Sequence, residues 1–178
     1  MDYREVLPRE LLTALFDGFD RYQRVTRCWR KEAGGWVLKD IAFTEQWSPE
    51  DYMYLVDCLK NTLRTGGAVL GAFESGVLKG FASVEAPPLG SRGQYRQLSS
   101  LHVSHGLRGR GIGRRLFLGA CRRARELGGE KLYISSHSAE ETQAFYKAMG
   151  CREAEEYNLR LAAAEPCDCQ LEKDLTEL

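Results

Sequence analysis

From Leu98 to Arg125 the chain carries seven arginines' worth of positive charge concentrated around Arg108-Gly109-Arg110-Gly111-Ile112-Gly113, and no acid. A β-rich run containing Leu98, Leu101 and Val103 leads into this segment. A stretch with Ile112, Leu116, Ala120, Ala124 and Leu127 on one helical face follows it. Glycines at a strand-to-helix turn let the backbone approach a ligand, because no Cβ stands in the way. The first turn of the helix adds unpaired N–H groups and the positive end of its dipole, and both suit an anion. The chemistry implied is phosphate binding. A Walker loop would need Gly-x4-Gly-Lys-Ser/Thr, which is absent, and a dinucleotide fingerprint would need glycine where Arg114 stands. The segment also lies in mid-chain, after a meander, and not at a first βαβ unit.

A third pattern, Arg/Gln-x-x-Gly-x-Gly/Ala, is met by Arg108 to Gly113. With the Leu101-His102-Val103 strand before it, the amphipathic helix after it and Phe145-Tyr146-Lys147-Ala148-Met149-Gly150-Cys151 further on, the chain resembles the GNAT acetyltransferase superfamily. The last run is similar to that family's F-Y-x-x-x-G-F/C segment. The resemblance covers about residues 36 to 178 and leaves the first 30 or so as an extension. It implies a mixed α/β fold: a central, mostly antiparallel sheet with one parallel, splayed strand pair and flanking helices. It implies acetyl-CoA as cosubstrate, with the backbone of Leu101, His102 and Val103 on the pantetheine arm. The N–H groups of Gly109, Arg110, Gly111, Ile112, Gly113 and Arg114 would hold the pyrophosphate, and Arg108, Arg110, Arg114 and Arg115 would add charge.

The same resemblance casts Tyr146 as the general acid that reprotonates the CoA thiolate; a phenol with a pKa of about 10 is protonated at neutral pH. Glu85, at a strand end, His102 and His105 are the candidate bases, and Glu85 is the one carried forward. Where many relatives have Asn near the start of the tyrosine helix, this chain has Ser138-Ala139-Glu140-Glu141-Thr142. The implied activity is transfer of acetyl to a primary amine of a small molecule or peptide, without metal or covalent enzyme intermediate. The alternatives are a non-catalytic acyl-CoA-binding or regulatory module of the same fold and an enzyme using a longer acyl-CoA. Trp29, Trp36, Trp47, Tyr52, Tyr54 and Tyr157 are candidates to line the acceptor pocket, with Glu50, Asp51 or Glu155 attracting a cation.

A chain of 178 residues with 43% apolar and 28% charged content has the size and composition of one globular domain, 1–178. Net charge is zero, which argues against nucleic acid as a partner. No segment has the form of a signal peptide or membrane span, so a cytoplasmic protein with six reduced cysteines is expected. Cys167-x-Cys169 is too tight for a zinc knuckle, so no metal is expected. Periodicity predicts a helix over 8–19, a hairpin from Val25–Arg30 and Trp36–Phe43, and a helix opened by Ser48-Pro49-Glu50-Asp51. Strands follow at 68–73, 77–84 and 95–103, then the helix from Gly111 and a strand at 131–135. Ser138 to Glu141 reads as a capping box for the helix of Tyr146. Strands at 151–157 and 169–175 would enclose a loop containing Ala162 to Pro166. An antiparallel meander that becomes a βαβα unit is a mixed α/β sheet. Its exposed edges and last hairpin could pair two subunits.

Overall fold

The computed structural model describes residues 1–176. In chain order the elements are β1 (Asp2–Glu5), two short 3-10 turns (Pro8–Glu10 and Thr13–Phe16), β2 (Gln23–Glu32), β3 (Gly35–Glu45) and α1 (Pro49–Arg64). Then come β4 (Ala68–Glu74), β5 (Val77–Val84), β6 (Tyr95–Val103), α2 (Ile112–Glu126) and β7 (Lys131–Ser136). The chain closes with α3 (Glu140–Ala148), β8 (Arg152–Glu153), α4 (Leu159–Ala164) and β9 (Cys169–Asp174). Seven strands form one sheet in the order β1-β4-β5-β6-β7-β9-β8, while β2 and β3 form a separate two-stranded sheet. Only β6 and β7 run parallel; every other neighbouring pair is antiparallel.

The parallel pair is short. It spans Tyr95–Gln97 against Lys131–Tyr133, after which β6 continues to Val103 and β7 to Ser136 without pairing to each other. Just beyond the paired part, Val84 faces Leu98 but Ser83 faces Ser100, so Ser99 is one residue too many on β6. Such a bulge bends its strand and increases the local twist, which carries β6 away from β7.

Helix α2 covers one face of the sheet. Ile112, Leu116, Phe117, Ala120, Cys121 and Ala124 pack with Ala72, Ala82, Val84, Leu98, Leu132 and Ile134. Helix α1 and the N-terminal turns cover the other, where Leu11, Phe16, Phe19, Val56 and Leu59 meet Val69, Phe73, Leu78 and Phe81. The start of α1 is set by a reciprocal cap: Ser48 Oγ accepts the Asp51 N–H at 3.2 Å and Asp51 Oδ2 accepts the Ser48 N–H at 2.8 Å. Its end is held close to the sheet at Gly67, where a Cβ would lie 2.4 Å from the Val84 carbonyl oxygen.

Four expectations are corrected. Residues 8–19 form two 3-10 turns separated by extended backbone at Leu12 (φ −123°, ψ 159°). A dozen residues ending in Asp17-Gly18 nucleate a helix poorly, and packing of Leu11, Phe16 and Phe19 sets the path instead. Within the first 30 residues, β1 adds an edge strand beside β4. Of 151–157 only Arg152–Glu153 pairs, and the alanine-rich segment read as a loop is α4, capped by Asn158 Oδ1 on the Leu161 N–H. Ser138 caps nothing: its hydroxyl accepts from Arg30 Nη1 at 2.7 Å, and Ala139 holds the N-cap position of α3.

Candidate active site

Beyond β6 the chain makes one 3-10 turn, His105–Leu107, and Arg108 folds back. Arg108 Nε donates to the Val103 carbonyl at 3.0 Å and Nη2 to the Arg21 carbonyl at 3.3 Å, so this side chain anchors the loop to its own strand. Gly109 (φ 75°) and Gly111 (φ 78°) adopt left-handed backbone, and a Cβ at either would meet nothing within 4 Å. Their demand is conformational, with open space above the loop. From Gly109 through Arg114 no N–H finds an acceptor among the described residues; the first helical bond is Arg115 N–H to the Gly111 carbonyl at 3.1 Å. Consecutive N–H groups at a helix start form a concave donor surface for an anion. Arg110 and Arg114 make no ion pair among the described residues, whereas Arg115 lies over the Tyr3 ring at 4.1 Å.

The strand feeding this loop divides its backbone between two sides. Ser104 N–H donates to the Lys79 carbonyl at 2.8 Å, and Gly80, Phe81 and Ala82 stand opposite Val103, His102 and Leu101. Bonded and non-bonded pairs alternate in an antiparallel ladder, so His102 exchanges its backbone bonds with Phe81. Leu101 and Val103 turn theirs to the side of β7, into the opening between the two strands. Of the three residues expected to offer backbone there, His102 does not. Its imidazole sits on the α1 face, 4.8 Å from the Trp47 ring and 5.3 Å from that of Phe81. Burial, with Arg21 and Arg108 adding to it, pushes the ring down to a pKa of about 3.

Tyr146 lies on the opposite, α2 side. It is 7% exposed and shares a cluster with Leu98 and Ile134, the residues immediately after the last paired positions of β6 and β7. Phe145 and Phe117 meet its ring at 5.2 and 6.0 Å. Burial, reinforced by Cys151 and Asp168, holds the phenol well above the usual tyrosine range, and its hydroxyl makes no hydrogen bond among the described residues.

Between α1, the ends of β5 and β6, and α4 lies a cavity of about 980 Å³. Glu85 lines it, with its N–H on the Gln97 carbonyl at 2.9 Å. Glu85 Oε1 accepts from Thr62 Oγ1 at 2.7 Å and from Ser99 Oγ at 2.5 Å, and Ser99 Oγ lies 2.7 Å from Ser83 Oγ. Asp51, Asp57 and Glu165 line the same cavity against a single guanidinium, Arg160. Trp47 and Tyr54 are there as expected; Tyr52 is not, being packed between Phe16 and Trp47 with its hydroxyl on the Phe19 carbonyl. Trp36 and Tyr157 are bound to Glu153, Trp29 lies on β2 with its N–H on the Ser138 carbonyl, and Glu155 pairs with Lys131 and Arg152. Glu50 does not line it. His105 lies against Tyr22 and His137 near Glu45, both away from the cavity. Thr62, Ser83 and Ser99 carry no motif; the only trace in the sequence is a polar Thr62 three residues after Leu59 on the buried seam of α1.

Among the described residues no group of three or more His, Cys, Asp or Glu is placed to hold a metal, and no helix is long and apolar enough to cross a membrane. The model of the acetyltransferase (GNAT) family matches residues 21–151. Among solved structures, nourseothricin acetyltransferase is similar at 16% identity and TM-score 0.69, over 98% of each chain. A protein described as a streptothricin acetyltransferase, from Bacillus anthracis str. Ames and in complex with acetyl coenzyme A, is similar at 16% identity and TM-score 0.69, over 96% of this chain and 95% of its own. PaiA N-acetyltransferase from Thermoplasma acidophilum, in complex with coenzyme A, follows at 15% identity and TM-score 0.59, over 97% and 98%. At these identities the likeness is one of fold. Among curated proteins none matches the chain.

Proposed function

Because the chain belongs to the acetyltransferase (GNAT) family, we propose that it moves the acetyl group of acetyl-CoA to a primary amine of a small molecule or peptide. The observation that carries this is the run of N–H groups from Gly109 to Arg114 with no acceptor among the described residues, which fits a diphosphate and is too long for a single carboxylate. Arg110 and Arg114 add a screened attraction of about 1 kcal/mol or less each. Leu101 and Val103 offer backbone groups along the opening between β6 and β7, suited to the amides of a pantetheine arm. An arm entering at the loop and running down that opening ends where the strands rejoin, between Glu85 on one side and Tyr146 on the other.

When bound, acetyl-CoA supplies a thioester, an acyl donor open to direct attack by a neutral amine. The carboxylates of the cavity favour a cationic acceptor, and Glu85 takes the proton that makes its nitrogen nucleophilic, directly or through water. The N–C bond forms as the C–S bond breaks, the electron pair leaves on sulfur, and the new amide nitrogen gives up its extra proton to water. Tyr146, kept protonated by burial, donates toward that sulfur; a thiolate in the same water-poor place is itself a stronger base than in water, which narrows the mismatch between them.

Calorimetry with acetyl-CoA and with CoA, alongside thiol release across a panel of primary amines, tests the proposal. Saturable binding and amine-dependent thiol release are expected; no binding at millimolar ligand overturns it, and binding without release leaves a non-catalytic module. Tyr146→Phe should lower turnover about 100-fold with acetyl-CoA affinity nearly unchanged. An unchanged rate would take the acid role from Tyr146.

A further inference from the structure

Glu85 does more than end a strand beside a cavity. Both hydroxyls that reach it, Thr62 Oγ1 at 2.7 Å and Ser99 Oγ at 2.5 Å, address the same oxygen, Oε1. Oε2 has no partner among the described residues. The hydroxyls come from fixed places. Thr62 is 2% exposed on α1, with its Oγ1 also 3.1 Å from the Cys58 carbonyl, and Gly67 brings that helix end against β5. Ser99 is the extra residue of the β6 bulge, and Ser83, 1% exposed, supports it at 2.7 Å. A hydroxyl carries one proton, so Ser99 gives its proton to Glu85 and accepts that of Ser83, and Thr62 gives its own to the nearer, charged Oε1 in preference to the Cys58 carbonyl.

We propose that Thr62 and Ser99 are positioning residues for Glu85: they hold Oε1 and leave Oε2 as the oxygen turned to the acceptor. This rests on the reading of Glu85 as the base. As the acceptor's N–H bond breaks, its proton forms an O–H bond on Oε2, and Oε1 becomes a carbonyl oxygen that still accepts both hydroxyls. The carboxyl group thus changes charge with no side chain turning. The bulge that parts β6 from β7 thereby also aligns the base. Other ionisable groups facing the cavity are Asp51, Tyr54, Asp57 and Cys58 on α1, His102 on β6, Arg160 on α4 and Glu165 just after it; among the described residues none of them bonds Glu85.

The test is amine-dependent thiol release by the whole chain at saturating acetyl-CoA, beside calorimetric affinity for acetyl-CoA. Thr62→Val and Ser99→Ala should each lower kcat about tenfold while acetyl-CoA affinity and the acceptor KM stay nearly unchanged. Thr62→Ser, which keeps the hydroxyl, should restore the rate. An unchanged kcat in both variants overturns the proposal. The two ideas fail separately: a wild-type chain that acetylates no amine, or Glu85→Gln at the wild-type rate, overturns the base, whereas an active wild type whose kcat neither variant moves overturns the positioning.

Discussion

An imidazole on the strand that feeds a cofactor loop is the natural candidate for a proton acceptor, since it ordinarily titrates near neutrality. His102 is disqualified by its surroundings: Trp47 and Phe81 enclose it, and burial with two nearby guanidiniums holds it neutral down to about pH 3. The linkage has a definite sign. Unfolded, the ring binds a proton below about pH 6.5, and folded it does not, so folding stability falls as pH drops through that window. Proton NMR should show His102 without a titration midpoint above pH 5, and His102→Gln should flatten the stability slope between pH 6.5 and 4. A midpoint near neutrality would return His102 to contention. Alternation in the sequence left the face of His102 open between Leu101 and Val103; pairing with Phe81 decides it. Glu85 was legible because Pro87-Pro88 ends its strand two residues later. Thr62 and Ser99 were not, because their use depends on a bulge and a helix end meeting in space.

At the scale of elements, the opening between β6 and β7 needs a fixed end. Glu172 on β9 supplies it, 1% exposed, with Oε2 accepting from Tyr95 at 2.6 Å and from the Glu155 N–H at 3.1 Å. Its Oε1 accepts from Lys131 at 2.9 Å and Arg152 at 3.0 Å. These bonds join β6, β7, β8 and β9 where β6 and β7 still touch. Burial alone would raise the Glu172 carboxyl, but the donors outweigh it and hold it below its usual range. A lowered carboxyl contributes stability above the unfolded pKa of about 4.3 and loses it as pH falls below. Glu172→Gln leaves Lys131 and Arg152 with only the exposed Glu155 carboxylate and should cost about 2 kcal/mol in urea unfolding, with a shallower acid slope. A loss under about 0.5 kcal/mol would mean that this cluster does not hold the strands together. Strands β4, β5 and β6 were readable from their β-rich runs and turn residues. Residues 8–19 and 151–157 were not, since tertiary packing and loop geometry, and not periodicity, shape them; Glu165-Pro166 masked the short α4 before it.

Over the whole molecule, a net charge of zero conceals a division. The stretch from Leu98 to Arg125 is purely basic, while the cavity across the sheet carries Asp51, Asp57, Glu85 and Glu165. An anionic cosubstrate and a cationic acceptor would approach from different sides and meet at the opening between β6 and β7. The separate β2–β3 hairpin lies against the start of α3 through Trp29 N–H on the Ser138 carbonyl and Arg27 on Glu140. The family resemblance anticipated the sheet and its one parallel pair, but nothing in the hairpin's residues showed where it would dock. The central claim is that the N–H groups of Gly109 to Arg114 receive the diphosphate of acetyl-CoA. Its most direct test is a 1H–15N correlation titration of the labelled chain with acetyl-CoA. Those amides should move downfield together and saturate in step with binding; saturable binding that leaves them unmoved would contradict the account.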